Sequence, residues 1–458
     1  MSELFDAIVI GAGQSGPSIA VRMAKQGLRT ALIERGELGG TCVNTGCIPS
    51  KTLVASARVA HLVARAAEFG VTLSAPARVD WPTIKARKNA VVAQSRTSLR
   101  GWLSETERLS LIQGHARFEG PRTLRVADRL LQADKIVINV GARAARPDVP
   151  GLARTPHLDN ESVMDVDALP EHLIILGGGY VGLEFAQIFR RFGCQVTVVQ
   201  RAPRLIPRED EDASALAKTL LESEGVVVRV SSSALGVEQR GSGVVLNISE
   251  AQNPREVSGS HLLLATGRRP NTDDLGLEHT QIERDERGHI KVNDALETSE
   301  SGVWATGEVN GRGAFTHTSY NDYEVLAANL YDDDPRKVTD RISAQALYLD
   351  PPLGRVGMTE RQVRDSGRPA LVGRLAMSRV GRARERDETL GYIKVLVDAE
   401  SQQLLGAAIF GIEGDEAVHT LLAAMYARAP YTTLQRAMFI HPTVNELLPT
   451  VLGELSPL

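Results

Sequence analysis

The apolar positions of this chain fall into short runs that stop at glycine, and the runs repeat in one order. Ala7 to Ile10 is apolar and leads straight into Gly11-Ala12-Gly13-Gln14-Ser15-Gly16. A helix-period stretch from Ile19 to Gln26 follows, then Gly27, then a second apolar run from Thr30 to Ile33 that ends at Glu34. The order recurs at Leu173 to Leu176, Gly177-Gly178-Gly179-Tyr180-Val181-Gly182, a helix through Phe185 to Phe189, and a strand from Gln195 to Val199. Each pattern predicts a strand–turn–helix–strand unit. Two further apolar strands, Ile136 to Val140 and Leu262 to Thr266, end at Gly141 and Gly267. From about residue 341 the pattern changes. Tyr392 to Val397 and Leu404 to Ile409 read as antiparallel strands, and Glu416 to Arg428 reads as an amphipathic helix. The charged turn from Asp332 to Lys337 links this last region to the rest.

The glycines give the two repeated units a chemistry. A G-x-G-x-x-G turn between strand and helix brings backbone N–H groups up to a pyrophosphate at the helix N-terminus, and an acid about 20 residues on holds a ribose. Gly11, Gly13 and Gly16 with Glu34 meet that layout, and Gly177, Gly179 and Gly182 repeat its loop. Two dinucleotide sites are therefore expected. The fold class expected is α/β, with two Rossmann-like dinucleotide-binding domains and a C-terminal α+β domain.

Composition narrows the classes. The 458 residues are too many for one ordinary domain, and 43% hydrophobic content suits a soluble protein with real cores. A net charge of −4 offers no general attraction to nucleic acid or anionic membrane. The opening residues lack a basic, then apolar, secretory pattern, and no run of about 18 apolar residues occurs. Three cysteines are too few for a disulfide scaffold. A cytoplasmic protein is expected, in which an obligatory disulfide is catalytic more often than structural.

Two of the cysteines share the stretch GGTCVNTGCIPSKT. Cys42 and Cys47 are five positions apart, which on a straight helix sets their Cα atoms about 8 to 9 Å from one another. A disulfide needs roughly 4.4 to 6.8 Å. The segment must fold back between them, and Asn44-Thr45-Gly46 is suitable turn chemistry. Gly39-Gly40 lets the backbone pack against a ring or phosphate, and Lys51, one turn past Cys47, favours a thiolate. Cys194 reads as a small buried residue.

This stretch resembles the redox motif of the class I pyridine nucleotide–disulfide oxidoreductases, which include glutathione reductase, dihydrolipoamide dehydrogenase and mercuric reductase. The resemblance covers essentially the whole chain. It implies a glutathione-reductase-like arrangement: residues 1–145 and 268–340 for FAD, 146–267 for NAD(P)H and 341–458 for dimerisation. By the resemblance, Cys47 is the sulfur next to the flavin and Cys42 the one that attacks substrate. Lys51 and Glu184 form an ion pair at the flavin, and Tyr180 covers the nicotinamide pocket. Gly40, Thr41, Gly141, Thr316 and His317 join the FAD site, and Gly267 joins the NAD(P)H site. Val303-Trp304-Ala305-Thr306-Gly307-Glu308 resembles a second FAD fingerprint that ordinarily ends in Asp, so Glu308 makes that contact with one more methylene. His441-Pro442-Thr443-Val444-Asn445-Glu446 taken alone reads as an extended residue before proline and a capping box. Its position resembles the family's His–Glu pair, which implies that His441 and Glu446 serve the partner's site in a homodimer.

At the end of the second unit's second strand, Gln200 stands where an acid would hold an NAD ribose, and Arg201 supplies a cation for a 2′-phosphate. NADPH is preferred, with NADH possible. The substrate expected is a small thiol-reactive oxidant, a disulfide or a soft metal ion. The C-terminal half is most similar to mercuric-reductase-like enzymes and to flavoproteins that reduce hypothiocyanous acid. True mercuric reductase and dihydrolipoamide dehydrogenase are alternatives. The first is weakened because LGELSPL carries no vicinal cysteine pair to collect the metal. The cluster Arg379, Arg382, Arg384 and Arg386, interleaved with Glu385 and Asp387, reads as a solvated hairpin. A redox sensor that keeps the fold without turnover is the alternative of another class. No resident metal site and no nucleic-acid or membrane partner is expected.

Overall fold

A computed structural model describes residues 2–250 and 252–458. Both repeated units form as expected. In the first, strands Glu3–Ile10 and Thr30–Glu34 run parallel on either side of helix Gly16–Lys25, which lays Ile19, Ala20, Met23 and Ala24 onto the sheet. Strand Arg129–Ile138 is the parallel neighbour of Glu3–Ile10, and Val303–Ala305 pairs with its far end. The late strand thus returns to the first sheet and brings Glu308 with it.

In the second unit, Val227–Arg229, Gln195–Val199, His172–Leu176 and His261–Leu264 form a four-stranded parallel sheet. Helix Tyr180–Arg191 buries Leu183, Phe185, Ile188 and Phe189. Those side chains belong to the same apolar cluster as Leu347, Leu353 and Phe410 of the C-terminal region. A fully buried aromatic of this kind contributes about 2–3 kcal/mol, so the second unit and the C-terminal region are held by a shared core.

The C-terminal region is a six-stranded sheet in the order Ala344–Leu347, Leu353–Gly357, Leu404–Phe410, Tyr392–Asp398, Ala370–Ala376, Ser456–Pro457, antiparallel throughout. Helix Gly414–Tyr426 covers one face, and the strand Leu404–Phe410 is buried along its whole length. Several elements have no counterpart in the sequence reading, among them the long helix Trp81–Ser104 and the antiparallel sheet of Ser232–Arg240, Gly243–Glu250 and Asn253–Gly259. Among the described residues no helix is long and apolar enough to cross a membrane.

Candidate active site

The cysteine segment bends as the spacing required. Cys42 lies in a short helix, Gly40–Asn44, and Cys47 opens a separate helix, Cys47–Ala64. The break is at Thr45-Gly46, where a Cβ on Gly46 would stand 2.8 Å from the Thr41 carbonyl oxygen. The Asn44 amide braces the first helix by donating to the carbonyls of Leu38 and Gly40. Both are free thiols here. The adjoining Cys42 thiol, with help from the Thr316 hydroxyl and the Lys51 charge, lowers the Cys47 thiol to about 6 against the opposing effect of burial. The neighbouring Cys47 and burial push Cys42 up. Thr316 Oγ1 lies 3.1 Å from Cys47 Sγ.

Lys51 reaches across to the second unit. Its ammonium is 2.6 Å from Glu184 Oε2, and it sits 4.6 Å from the centre of the Tyr348 ring. Glu184 is buried, and its other oxygen accepts from the Tyr348 backbone N–H at 3.0 Å. The ion pair therefore ties the cysteine helix to both other regions. Tyr180, at the start of its helix, tilts toward Phe315 with ring centres 6.2 Å apart. His317 stacks on Phe315 and meets the Ala344 carbonyl at 2.7 Å through Nε2, a packing role for its side chain.

The first glycine loop is closely filled. Gly11, at φ +98°, would place a Cβ 2.4 Å from the Asn139 carbonyl oxygen, and Gly16 accepts no Cβ because the Gly11 oxygen is 2.1 Å away. Glu34 accepts from the N–H groups of Ala12 and Gly36. Gly40 rests on Gly13, and Gly39 N donates to the Ala12 carbonyl, so the cysteine helix is mounted on this loop. In the second loop, Gln200 Oε1 takes the Gly178 N–H at 3.2 Å, in the place Glu34 holds in the first. Gly179, Gly267 and Gly141 have open space where a Cβ would stand. Arg201 and Arg208 are exposed, whereas Arg204 pairs with Glu211. Two acceptor-lined glycine loops with clearance beside them fit two dinucleotides.

Glu308 is bound through both oxygens by Arg268 Nε at 2.9 Å, and Arg268 also contacts Thr41. His441 and Glu446 meet at 2.7 Å through Nδ1, with the imidazole 80% exposed and the carboxylate mostly buried. The capping box expected of this hexapeptide forms by half. Thr443 Oγ1 accepts from Glu446 N–H, but the Glu446 carboxylate goes to His441 instead of back to the backbone. The arginine cluster spans the connection between the antiparallel strands Ala370–Ala376 and Tyr392–Asp398, with Arg382 and Arg384 on a short helix, Gly381–Glu385. Its members are largely engaged: Arg379 with Glu454, Arg386 with Glu413, and Arg382 with Glu385 and the Pro442 carbonyl beside His441.

The family model for pyridine nucleotide-disulphide oxidoreductases matches residues 5–322, and the model for the dimerisation domain of that family matches 343–452. The chain belongs to this family. A pyridine nucleotide-disulphide oxidoreductase of Escherichia coli, the probable enzyme RclA, is 35% identical over 97% of this chain and 98% of its own. A dihydrolipoyl dehydrogenase of Thermus scotoductus and a mercuric reductase of Streptomyces lividans are each 33% identical over 96% of this chain, covering 95% and 93% of theirs. The solved Cu(II) complex of the E. coli HOCl-induced flavoprotein disulfide reductase RclA superposes with a TM-score of 0.90 at 34% identity, over 98% of this chain and 99% of that one. As a pyridine nucleotide-disulphide oxidoreductase, the chain is an oxidoreductase with the family's α/β architecture and dimerisation domain.

Sequence reasoning missed the residues that brace these sites. Asn139 donates to the Thr306 carbonyl and accepts from Gly16 N–H, locking the first loop to the returning strand. Buried Asp322 holds Gly307, Asn310 and Arg341. No local spacing marks either, since their partners are distant in sequence.

Proposed function

We propose that this enzyme passes electrons from NADPH through FAD to the Cys42–Cys47 disulfide, and on to a small thiol-reactive oxidant, disulfide or soft metal ion. The observation that carries it is Cys47 placed 3.1 Å from Thr316 Oγ1 beside the Lys51–Glu184 pair, where Cys42, Thr316 and Lys51 favour its thiolate. FAD would lie along Gly11, Gly13, Gly16, Glu34, Gly40, Thr41, Gly141, Glu308, Thr316 and His317. NADPH would lie along Gly177, Gly179, Gly182, Tyr180, Gln200, Arg201 and Gly267. Bound FAD supplies the transfer of two electrons from the nicotinamide to the disulfide. Residues 1–145 and 268–340, 146–267 and 341–458 serve as the FAD, NAD(P)H and interface domains.

After reduction, the negative charge is favoured on Cys47, whose thiol is lowered, and the proton on Cys42, whose thiol the neighbouring Cys47 and burial push up. Cys42 is then a poor nucleophile until a base takes the proton. The exposed His441, oriented by Glu446, has the chemistry but serves the other protomer, so His441 of the partner subunit deprotonates Cys42 in a shared site. Exposed Met438 and Ile440 beside it support burial in a homodimer. Cys194 is buried, so it adds no third thiol to collect a metal ion. A cytoplasmic location suits a thiol pair that must stay reducible.

The test is NADPH oxidation with hypothiocyanous acid, Hg(II), Cu(II), lipoamide and glutathione disulfide as acceptors, on wild type and Cys42→Ser. Turnover should fall on the order of 10³-fold in the variant while NADPH still reduces the bound flavin. Undiminished turnover by Cys42→Ser would refute the scheme.

A further inference from the structure

Tyr180 is tethered at its hydroxyl end. The phenol donates to Glu209 Oε1 at 3.0 Å and accepts from Gln345 Nε2 at 3.1 Å. Gln345 Nε2 also donates directly to Glu209 Oε1 at 2.5 Å, and Glu209 Oε2 faces Arg355 Nε at 2.7 Å. Glu209 is 2% exposed and Arg355 8%. Gln345 and Arg355 are opposite one another across the hairpin that begins the C-terminal sheet. One hairpin of the dimerisation region thus grips both a buried carboxylate and the ring of the second unit's helix.

We propose that Gln345, Glu209 and Arg355 are positioning residues that latch Tyr180 closed, so that admission of the nicotinamide is set from the dimerisation-domain hairpin. This rests on Tyr180 being the cover of the nicotinamide pocket. A buried carboxylate is costly without partners. Glu209 retains the Gln345 amide and the Arg355 guanidinium when the phenol leaves, so the ring swings out without stranding a charge. Burial and the Glu209 charge hold the phenol well above its ordinary titration range, so its O–H remains a donor at any working pH. A closed latch lowers the fraction of enzyme competent to bind, and apparent nucleotide affinity falls by that fraction.

The experiment is rapid-mixing reduction of the flavin-loaded dimer by NADPH, comparing wild type, Gln345→Met, Tyr180→Phe and the double variant. Gln345→Met conserves volume and leaves Glu209 its Arg355 partner. It should tighten the apparent Kd for NADPH roughly three- to tenfold, the effect of one hydrogen bond, with the reoxidation rate by acceptor unchanged. Tyr180→Phe should also tighten the apparent Kd, and the double variant should go no further than the larger single effect. Fully additive effects, or no change in Kd with Gln345→Met, overturn the latch while leaving the cover intact. If Tyr180→Ala leaves NADPH binding and reduction unaltered, the cover itself is wrong and the latch falls with it.

Discussion

The two glycine loops read almost identically in sequence, yet they are built to do different things. In each, the first glycine is pressed against a strand-end carbonyl: a Cβ would stand 2.4 Å from Asn139 O at Gly11 and 2.3 Å from Ala265 O at Gly177. In each, an amide of the loop is accepted by the residue ending the second strand, Glu34 or Gln200. They part in what lies on top. The Ala12 carbonyl receives Gly39 and thereby mounts the cysteine helix, whereas the Gly178 carbonyl receives Ile206 and mounts the arginine-bearing turn. The first loop is also cross-braced by the Asn139 side chain, and Ala265 puts only a methyl in that place. One loop is a fixed platform for a redox pair. The other, with Gln200 in place of the acid and open space at Gly179, is the seat we assign to the nicotinamide nucleotide.

Restoring the acid breaks the contrast most sharply. Gln200→Glu should shift the NADPH-to-NADH ratio of kcat/KM toward NADH by about 100-fold, as a carboxylate repels the 2′-phosphate and binds the free ribose hydroxyls. An unchanged ratio would mean that neither Gln200 nor Arg201 reads the phosphate. Asn139→Ala gives the first loop the second loop's brace. It leaves the Gly16 N–H unpaired, costing about 1–3 kcal/mol, which calorimetry should show as a lower Tm with earlier release of flavin. Gly179→Ala sharpens the other side: nothing stands within 4 Å of its Cβ position. Thermal stability should hold within about 0.5 kcal/mol, while the Kd for NADPH rises several-fold because the methyl occupies the seat.

What could be read from sequence was whatever chemistry is local. The glycine loops, the Cys42–Cys47 bend, and the strands from Tyr392 and Leu404 each carry their pattern within about ten residues, because strand period and turn chemistry are short-range. The Lys51–Glu184 pair spans 133 positions and was reachable only by family resemblance. Asn139 under Gly16, Arg268 on Glu308 and Gln345 on Tyr180 lie 123, 40 and 165 positions apart and have no spacing to betray them. The sheet beginning at Ser232 was missed because its strands expose many polar residues, which blurs the period of two. The Thr443–Glu446 motif carried two readings, a capping box and the family's His–Glu pair, and the Glu446 carboxylate takes the second. A glutamate at that position has two acceptors to offer, and His441 outcompetes the backbone N–H.

The smallest expected effect lies where the two loops' territories meet, at Cys47. Its helix is mounted on the first loop, and its Lys51 reaches the second unit. With the thiol lowered to about 6, the thiolate predominates at neutral pH and is lost as pH falls through that value. Alkylation of the dithiol enzyme at Cys47, followed by mass spectrometry, should therefore rise through pH 6 and level off above pH 7. Thr316→Val removes one donor and keeps the volume, so the midpoint should move upward, with the rate at pH 6 falling about threefold. Glu184→Gln should move it the other way, because the Glu184 charge opposes the thiolate. Opposite shifts from these two variants would show that the cysteine pair is tuned from both sides at once, by Thr316 and by the second unit's own helix. No shift from either would assign the low value to the neighbouring Cys42 alone.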